Sequence, residues 1–149
     1  MNVSVLPSLC GAVVLAISCG TPASQPSNPD ETKHSVVREI SILQLDSLQS
    51  AHPSAVLIDV RSDEEWAAGH LSQACFISFD WDHRVDTLRK LPFDRPAFVY
   101  CEAGGRSGVV TEELRLLGHP MIIDLIGGAE RWVEAKRDLH FGDATPLPH

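Results

Sequence analysis

Ala97-Phe98-Val99-Tyr100-Cys101-Glu102-Ala103-Gly104-Gly105-Arg106-Ser107 runs from an apolar, β-branched and aromatic segment through a glycine-containing turn to an arginine and a serine. Downstream, Leu114, Leu116 and Leu117 recur at helical spacing before Gly118. The pattern predicts a buried strand, a tight loop and a helix over Ser107 to Leu117. Backbone N–H groups converge in a loop of that kind. Together with the positive end of the helix they favour a thiolate over a thiol, and they favour an incoming anion. Gly104 and Gly105 allow the curl, and Arg106 offers a planar fork of donors to an oxyanion. A lone cysteine after a strand also reads as a small buried hydrophobe. That reading has no use for two glycines and an arginine within the next five positions, so Cys101 is read as a nucleophile.

The flanking chain alternates in the same way. Ile42, Leu45 and Leu48 after Ser41 predict a short helix that Pro53 stops before a strand at Val56 to Asp59. Ser62-Asp63-Glu64-Glu65 is a capping-box pattern that opens a brief helix ended by Gly69. A strand near Cys75 to Ile77 leads to a polar helical stretch, Asp82 to Leu91, closed by Pro92, and Met121 to Leu125 reads as one more strand. The fold class is therefore α/β, a central parallel sheet with helices on both faces. Ligands in such sheets bind at the carboxyl ends of strands, where the pattern places Cys101. Asp59 and Arg61 lie at the end of another strand of the set. Arg61 either approaches the same edge or pairs with Glu64 or Glu65 on the surface.

These residues resemble the rhodanese-like sulfurtransferase family. Val56-Leu57-Ile58-Asp59-Val60-Arg61, with Glu65-Trp66 and Gly69-His70-Leu71, is similar to its "DVR…E-aromatic…GHI" signature. Cys101 to Ser107 is similar to its C-x-x-G-x-R-S loop, and Leu125-Ile126-Gly127-Gly128 with Trp132 to its closing element. The likeness spans Val37 to Leu139. It implies a rhodanese-like fold in which Cys101 and Arg106 are catalytic. Glu102, Ala103, Gly104, Gly105, Arg106 and Ser107 would then line the substrate, with Asp59 and Arg61 supporting the loop. It further implies a small sulfur-containing anion such as thiosulfate, or a persulfide, as donor, a thiol or protein as acceptor, and neither metal nor cofactor. A persulfide anion calls for several N–H dipoles rather than a general base, and no histidine is close to Cys101 in sequence. Glu102 and Ala103 stand where thiosulfate-using members often carry basic residues. An acidic side chain there disfavours a dianion and raises the standing of a persulfide donor. His70, Trp66 and Trp132 are read as structural.

The chain has 149 residues, of which 44% are hydrophobic, enough for one sizeable core, and its formal net charge of −8 excludes a basic face for nucleic acid. Met1 to Gly20 stand apart, because Val3 to Ile17 carries no charge and small residues follow it. Residues 1–19 read as an export signal, and Leu15-Ala16-Ile17-Ser18-Cys19 resembles a bacterial lipoprotein signal cut before a lipidated Cys19. That places the protein on the periplasmic side or in the cell envelope, tethered to a membrane. Residues 20–35, rich in Thr, Pro, Ser, Asn and Gln, read as a flexible linker. The rhodanese-like domain is then 36–140, and 141–149 is an irregular tail. Cys75 and Cys101 are the thiols of the mature domain, Cys75 packing inertly in a buried strand.

Two rival functions follow from the same residues. Phosphatases and arsenate reductases also join a cysteine, a glycine-rich loop and an arginine at a helix N-terminus. Their loops place five residues between Cys and Arg, whereas Glu102, Ala103, Gly104 and Gly105 alone intervene here. The other rival is a binding module or sulfur carrier that does not turn over.

Overall fold

The computed structural model describes residues 35–148. The expected signal at 1–19, Cys19 and all of the expected linker except Ser35 lie outside the described residues. Five strands form one parallel sheet in the order β1-β5-β4-β2-β3: β1 Val36–Ser41, β2 Val56–Asp59, β3 Cys75–Phe76, β4 Ala97–Tyr100 and β5 Met121–Ile126. Between them run a 3₁₀ turn at Ile42–Gln44 that continues into α1 Leu45–Ala51, then α2 Asp63–Ala67, α3 Arg84–Leu88, α4 Gly105–Leu116 and α5 Gly128–Glu134. Every residue of β2 and β4 is buried, as a strand covered on both faces requires.

The two-residue period of the strands sorts those apolar runs into two cores. Leu57, Phe98, Tyr100, Ile123 and Leu125 face one way, onto Ile42 and Leu45 of the first helical segment and Ala129 and Trp132 of α5. Val56, Ile58, Ala97, Val99 and Ile122 face the other way, onto Leu88 and Leu91 at α3 and Val110 and Leu114 of α4. Helices thus cover both faces of the sheet.

Two elements carry no clear sequence signal. Strand β1 sits at the sheet edge with an almost wholly exposed Val-Val-Arg-Glu-Ile-Ser sequence, which carries no alternation to detect. Helix α5 buries only Gly128, Ala129 and Trp132, too few for a visible helical period. The other elements differ at their ends: α4 begins two residues early, at Gly105, β5 extends to Ile126, and α3 keeps only Arg84–Leu88 of the expected 82–91. Residues 141–148 have neither helix nor strand, yet they are attached. His140 bridges His70, the Thr145 N–H donates to the Ala74 carbonyl at 3.0 Å, and Leu147 packs on the core under α3 and α4.

Candidate active site

Strand β4 ends at Tyr100, and Cys101 turns inward beneath the first turn of α4, 1% exposed. The Gly104 N–H donates to Cys101 Sγ at 3.1 Å, and the Ser107 hydroxyl lies 3.6 Å from the same sulfur. Gly104 makes this possible by taking a φ of +126°, a conformation that glycine adopts without strain. No side chain caps α4, so the first amides of that helix remain available as donors at the loop. Ala103 and Gly105 are exposed on the rim.

Helix α5 grips the loop from behind. The Ala129 and Glu130 N–H groups donate to the Cys101 and Glu102 carbonyls at 2.9 and 3.0 Å. The approach is so close that a Cβ on Gly128 would stand 2.2 Å from the Cys101 carbonyl oxygen. Gly128 therefore has a definite task, which is to let a helix N-terminus touch the backbone of the cysteine loop.

Asp59 closes β2, and Arg61, two residues on, reaches toward the loop. The buried guanidinium of Arg61 bonds Asp59 through Nε and Nη2, donates to the Gly69 carbonyl at 2.7 Å, and reaches Glu102 at 3.3 Å. The surface alternative, Arg61 on Glu64 or Glu65, is thereby corrected: Asp59, two residues away and equally buried, is the nearer and drier partner. Burial disfavours the charge on Arg61, but Asp59 and Glu102 hold it protonated beyond the ordinary arginine value. The Tyr100 hydroxyl joins the group, donating to Asp59 at 2.5 Å and accepting from the Leu71 N–H at 3.1 Å. Its pKa lies well above the ordinary value because it is buried and next to the Asp59 charge.

Arg106 does not present a free fork. Both terminal nitrogens donate to the Glu65 carboxylate at 2.6 Å, a two-point pair that already occupies the geometry expected for a substrate oxyanion. The same carboxylate completes the α2 capping box, accepting from the Ser62 N–H at 2.8 Å. Arg106 and the cap together push Glu65 down to about 2. An anion that engages Arg106 has to displace this carboxylate or share the guanidinium with it. The sequence marks Glu65 as a helix cap, a family match and one possible partner of Arg61; its pairing with Arg106 spans two helices and has no local signal.

Asp124 is a further buried polar residue near the loop, marked in sequence as a lone acid within Met-Ile-Ile-Asp-Leu-Ile. It is 3% exposed on the α4 side of β5, directly under Gly108. His70 is buried and stacks on Trp66 at 3.6 Å, and Trp132 donates its Nε1–H to the Asp138 carbonyl. Cys75 is buried, and desolvation pushes its thiol up to about 11, in keeping with inert packing. Among the described residues no group of histidine, cysteine and acidic side chains has the spacing of a metal site, and no helix is long and apolar enough to cross a membrane.

The family model of the Rhodanese-like domain matches residues 42–135. "Uncharacterized protein YqhL" of Bacillus subtilis is 31% identical over 104 residues, covering 67% of this chain and 80% of its own. "Probable adenylyltransferase/sulfurtransferase MoeZ" of Mycobacterium tuberculosis is 35% identical over 78 residues, which are 52% of this chain but only 20% of that larger protein. Among solved structures, a rhodanese-like domain protein from Staphylococcus aureus superposes with a TM-score of 0.61 at 25% identity, covering 71% of this chain and 99% of its own.

Proposed function

The chain belongs to the rhodanese-like domain family, and from that premise we propose that it is a sulfurtransferase which carries a sulfane sulfur on Cys101. The observation that carries the reading is the convergence on one buried sulfur of a backbone N–H, a hydroxyl and the uncapped start of α4. The Cys101 thiolate attacks the outer sulfur of the donor and a sulfur–sulfur bond forms. The donor's own bond to that sulfur breaks, and sulfite (from thiosulfate) or a thiolate (from a persulfide) leaves with the electron pair. The negative charge then sits on the terminal sulfur of Cys101, where the loop amides stabilise it. An acceptor thiolate takes that sulfur in the reverse sense and restores the Cys101 thiolate.

A persulfide donor suits the site better than thiosulfate. Arg106 is neutralised by Glu65 and the half-exposed Glu102 is paired with Arg61, so a dianion at the loop meets two guanidiniums that carboxylates already hold. Phosphoryl and arsenate chemistry is disfavoured on the same ground, since it needs the arginine fork for three oxygens. Export behind residues 1–19 and lipid attachment at Cys19 belong to the proposal and rest on the sequence alone; loss of membrane partition in Cys19→Ser checks them.

Mass spectrometry of the purified protein after exposure to thiosulfate or to a persulfide donor is the decisive test. The expected result is one added sulfur on Cys101, lost in Cys101→Ser with folding intact, and retained but slower in Arg106→Lys. Sulfur found on Cys75 instead, or turnover by Cys101→Ser, would refute the assignment. Sulfur loading without multiple turnover would make the domain a carrier.

A further inference from the structure

Arg106 is the cation of the cysteine loop, and its fork is filled from within the chain. Nη1 and Nη2 donate to different oxygens of Glu65, each at 2.6 Å, in the two-point geometry that a sulfonate would otherwise take. Both side chains are only 29% exposed, which limits the screening of the pair by water and salt.

Glu65 is held in place by its own helix. Its carboxylate accepts from the Ser62 N–H at 2.8 Å while the Ser62 hydroxyl accepts from the Glu65 N–H at 3.3 Å, so the cap of α2 fixes the acid that reaches Arg106. The next residue, Trp66, anchors the same helix by stacking on His70 at 3.6 Å and packing beside Phe76 at 4.8 Å. Glu102 differs on each point, being half-exposed and joined to Arg61 at 3.3 Å. Of the two acids at the loop, Glu65 is the one whose position is built into the fold.

We propose that Glu65 is a specificity-determining residue of this site, an internal anion that rejects donors whose sulfane sulfur is carried on an oxyanion and admits those that carry none. The proposal rests on Cys101 being the sulfur acceptor and adds which donors reach it. Thiosulfate brings sulfonate oxygens and a double negative charge. To place them on Arg106 it has to break both bonds to Glu65, and the released carboxylate, still tied to the Ser62 N–H, then faces the donor as a like charge. A persulfide of an uncharged thiol brings no oxygens to the fork and gives up nothing when the fork is taken. With either donor the Cys101 thiolate bonds to the outer sulfur and the leaving group, sulfite or a thiolate, takes the electron pair. Glu65 therefore acts on which donor is bound and not on the bond exchange. Selectivity of this kind is a difference between two affinities, made by penalising one ligand.

The test uses the full chain and two kinds of probe. In the first arm, sulfur loading of Cys101 is followed by mass spectrometry with thiosulfate and with the persulfide of 2-mercaptoethanol. Glu65→Gln keeps an oxygen for the Ser62 cap, a place that glutamine also fills, and removes the charge. The preference for the persulfide over thiosulfate is expected to fall about tenfold, chiefly through a lower KM for thiosulfate. Equal acceleration of both donors, or no change, overturns the proposal. In the second arm sulfate, a tetrahedral dianion with no sulfur to transfer, is titrated onto the protein. Glu65→Gln is expected to bind it about tenfold more tightly, and Arg106→Gln to abolish that gain. The same gain without Arg106 would be a general charge effect and overturns the proposal, as does an unchanged sulfate affinity. The wild type decides the matter should Glu65→Gln not fold. Sulfate should move the Arg106 Nε–H and Glu65 carboxyl ¹³C resonances together or not at all, because one anion leaves as the other enters, and an Arg106 response alone overturns the exclusion. If neither donor places sulfur on Cys101, the sulfurtransferase reading falls while the sulfate affinities still decide the role of Glu65.

Discussion

Gly128→Ala should damage the cysteine loop more than an alanine at any other of the described glycines. The new Cβ would stand 2.2 Å from the Cys101 carbonyl oxygen and 2.4 Å from that of Glu102, both backbone atoms that no rotamer change can move aside. The backbone at Gly128 has φ +53°, which costs an alanine about 1 kcal/mol before any contact is counted. Relief of the overlap requires α5 and the loop to separate, and that breaks the Ala129 and Glu130 N–H bonds to the loop, roughly 1 kcal/mol each. The sum is roughly 3 kcal/mol, or about 10 °C in Tm for a domain of this size. The assay has two arms, thermal unfolding and the alkylation rate of Cys101. Gly127→Ala is the control, because its Cβ would meet side chains alone, Arg131 at 2.8 Å and Ile42 at 3.8 Å, while its φ of +92° is at least as unfavourable for an alanine. Both variants should lose stability, but Gly128→Ala alone should change Cys101 reactivity. Equal reactivity in the two would refute the claim that α5 sets the loop's shape.

Three further outcomes are expected. Asp59→Asn leaves the buried Arg61 guanidinium with only the half-exposed Glu102 to balance it and should cost about 3 kcal/mol in urea unfolding; a loss under about 1 kcal/mol would mean Glu102 suffices. Glu65 is held at about 2 against an ordinary 4.5, so its folded pKa is depressed and its stabilising contribution is complete above about pH 4.5 and lost as pH falls toward 2. Glu65→Gln should therefore flatten the acid limb of the stability profile, and an unchanged limb would show that the Arg106 pair does not persist in solution. Glu102→Lys should improve thiosulfate use by a few fold, on the order of 1 kcal/mol and most clearly at low salt; no salt-dependent gain would mean that Arg61 already cancels the Glu102 charge.

What could be read without coordinates was local: apolar runs between glycine and proline stops, a capping box at Ser62, and a cysteine followed by glycines and an arginine. Edge strand β1 escaped because it is exposed along nearly its whole length, and α5 because one turn of buried residues is too short for a period. The ion pairs of the site escaped for a different reason. Parallel pairing sets Val56 opposite Ala97 and Asp59 opposite Tyr100, a fixed offset between β2 and β4. The Asp59–Tyr100, Arg61–Glu102 and Glu65–Arg106 contacts all repeat that offset, 41 residues each. The two chain segments leave the sheet side by side and keep step past its edge, so the supporting acid, the supporting arginine and the helix-capping glutamate each meet the partner that the register assigns. No periodicity within either segment encodes that offset. It depends on the length of everything between them, including β3, α3 and their loops, so an insertion or deletion there need not alter any of these residues to disturb the site. The pairing of Arg106 with Glu65 is then a property of the register as much as of the loop, and the anion-binding strength of the loop is set in part by how α2 is hung from the end of β2.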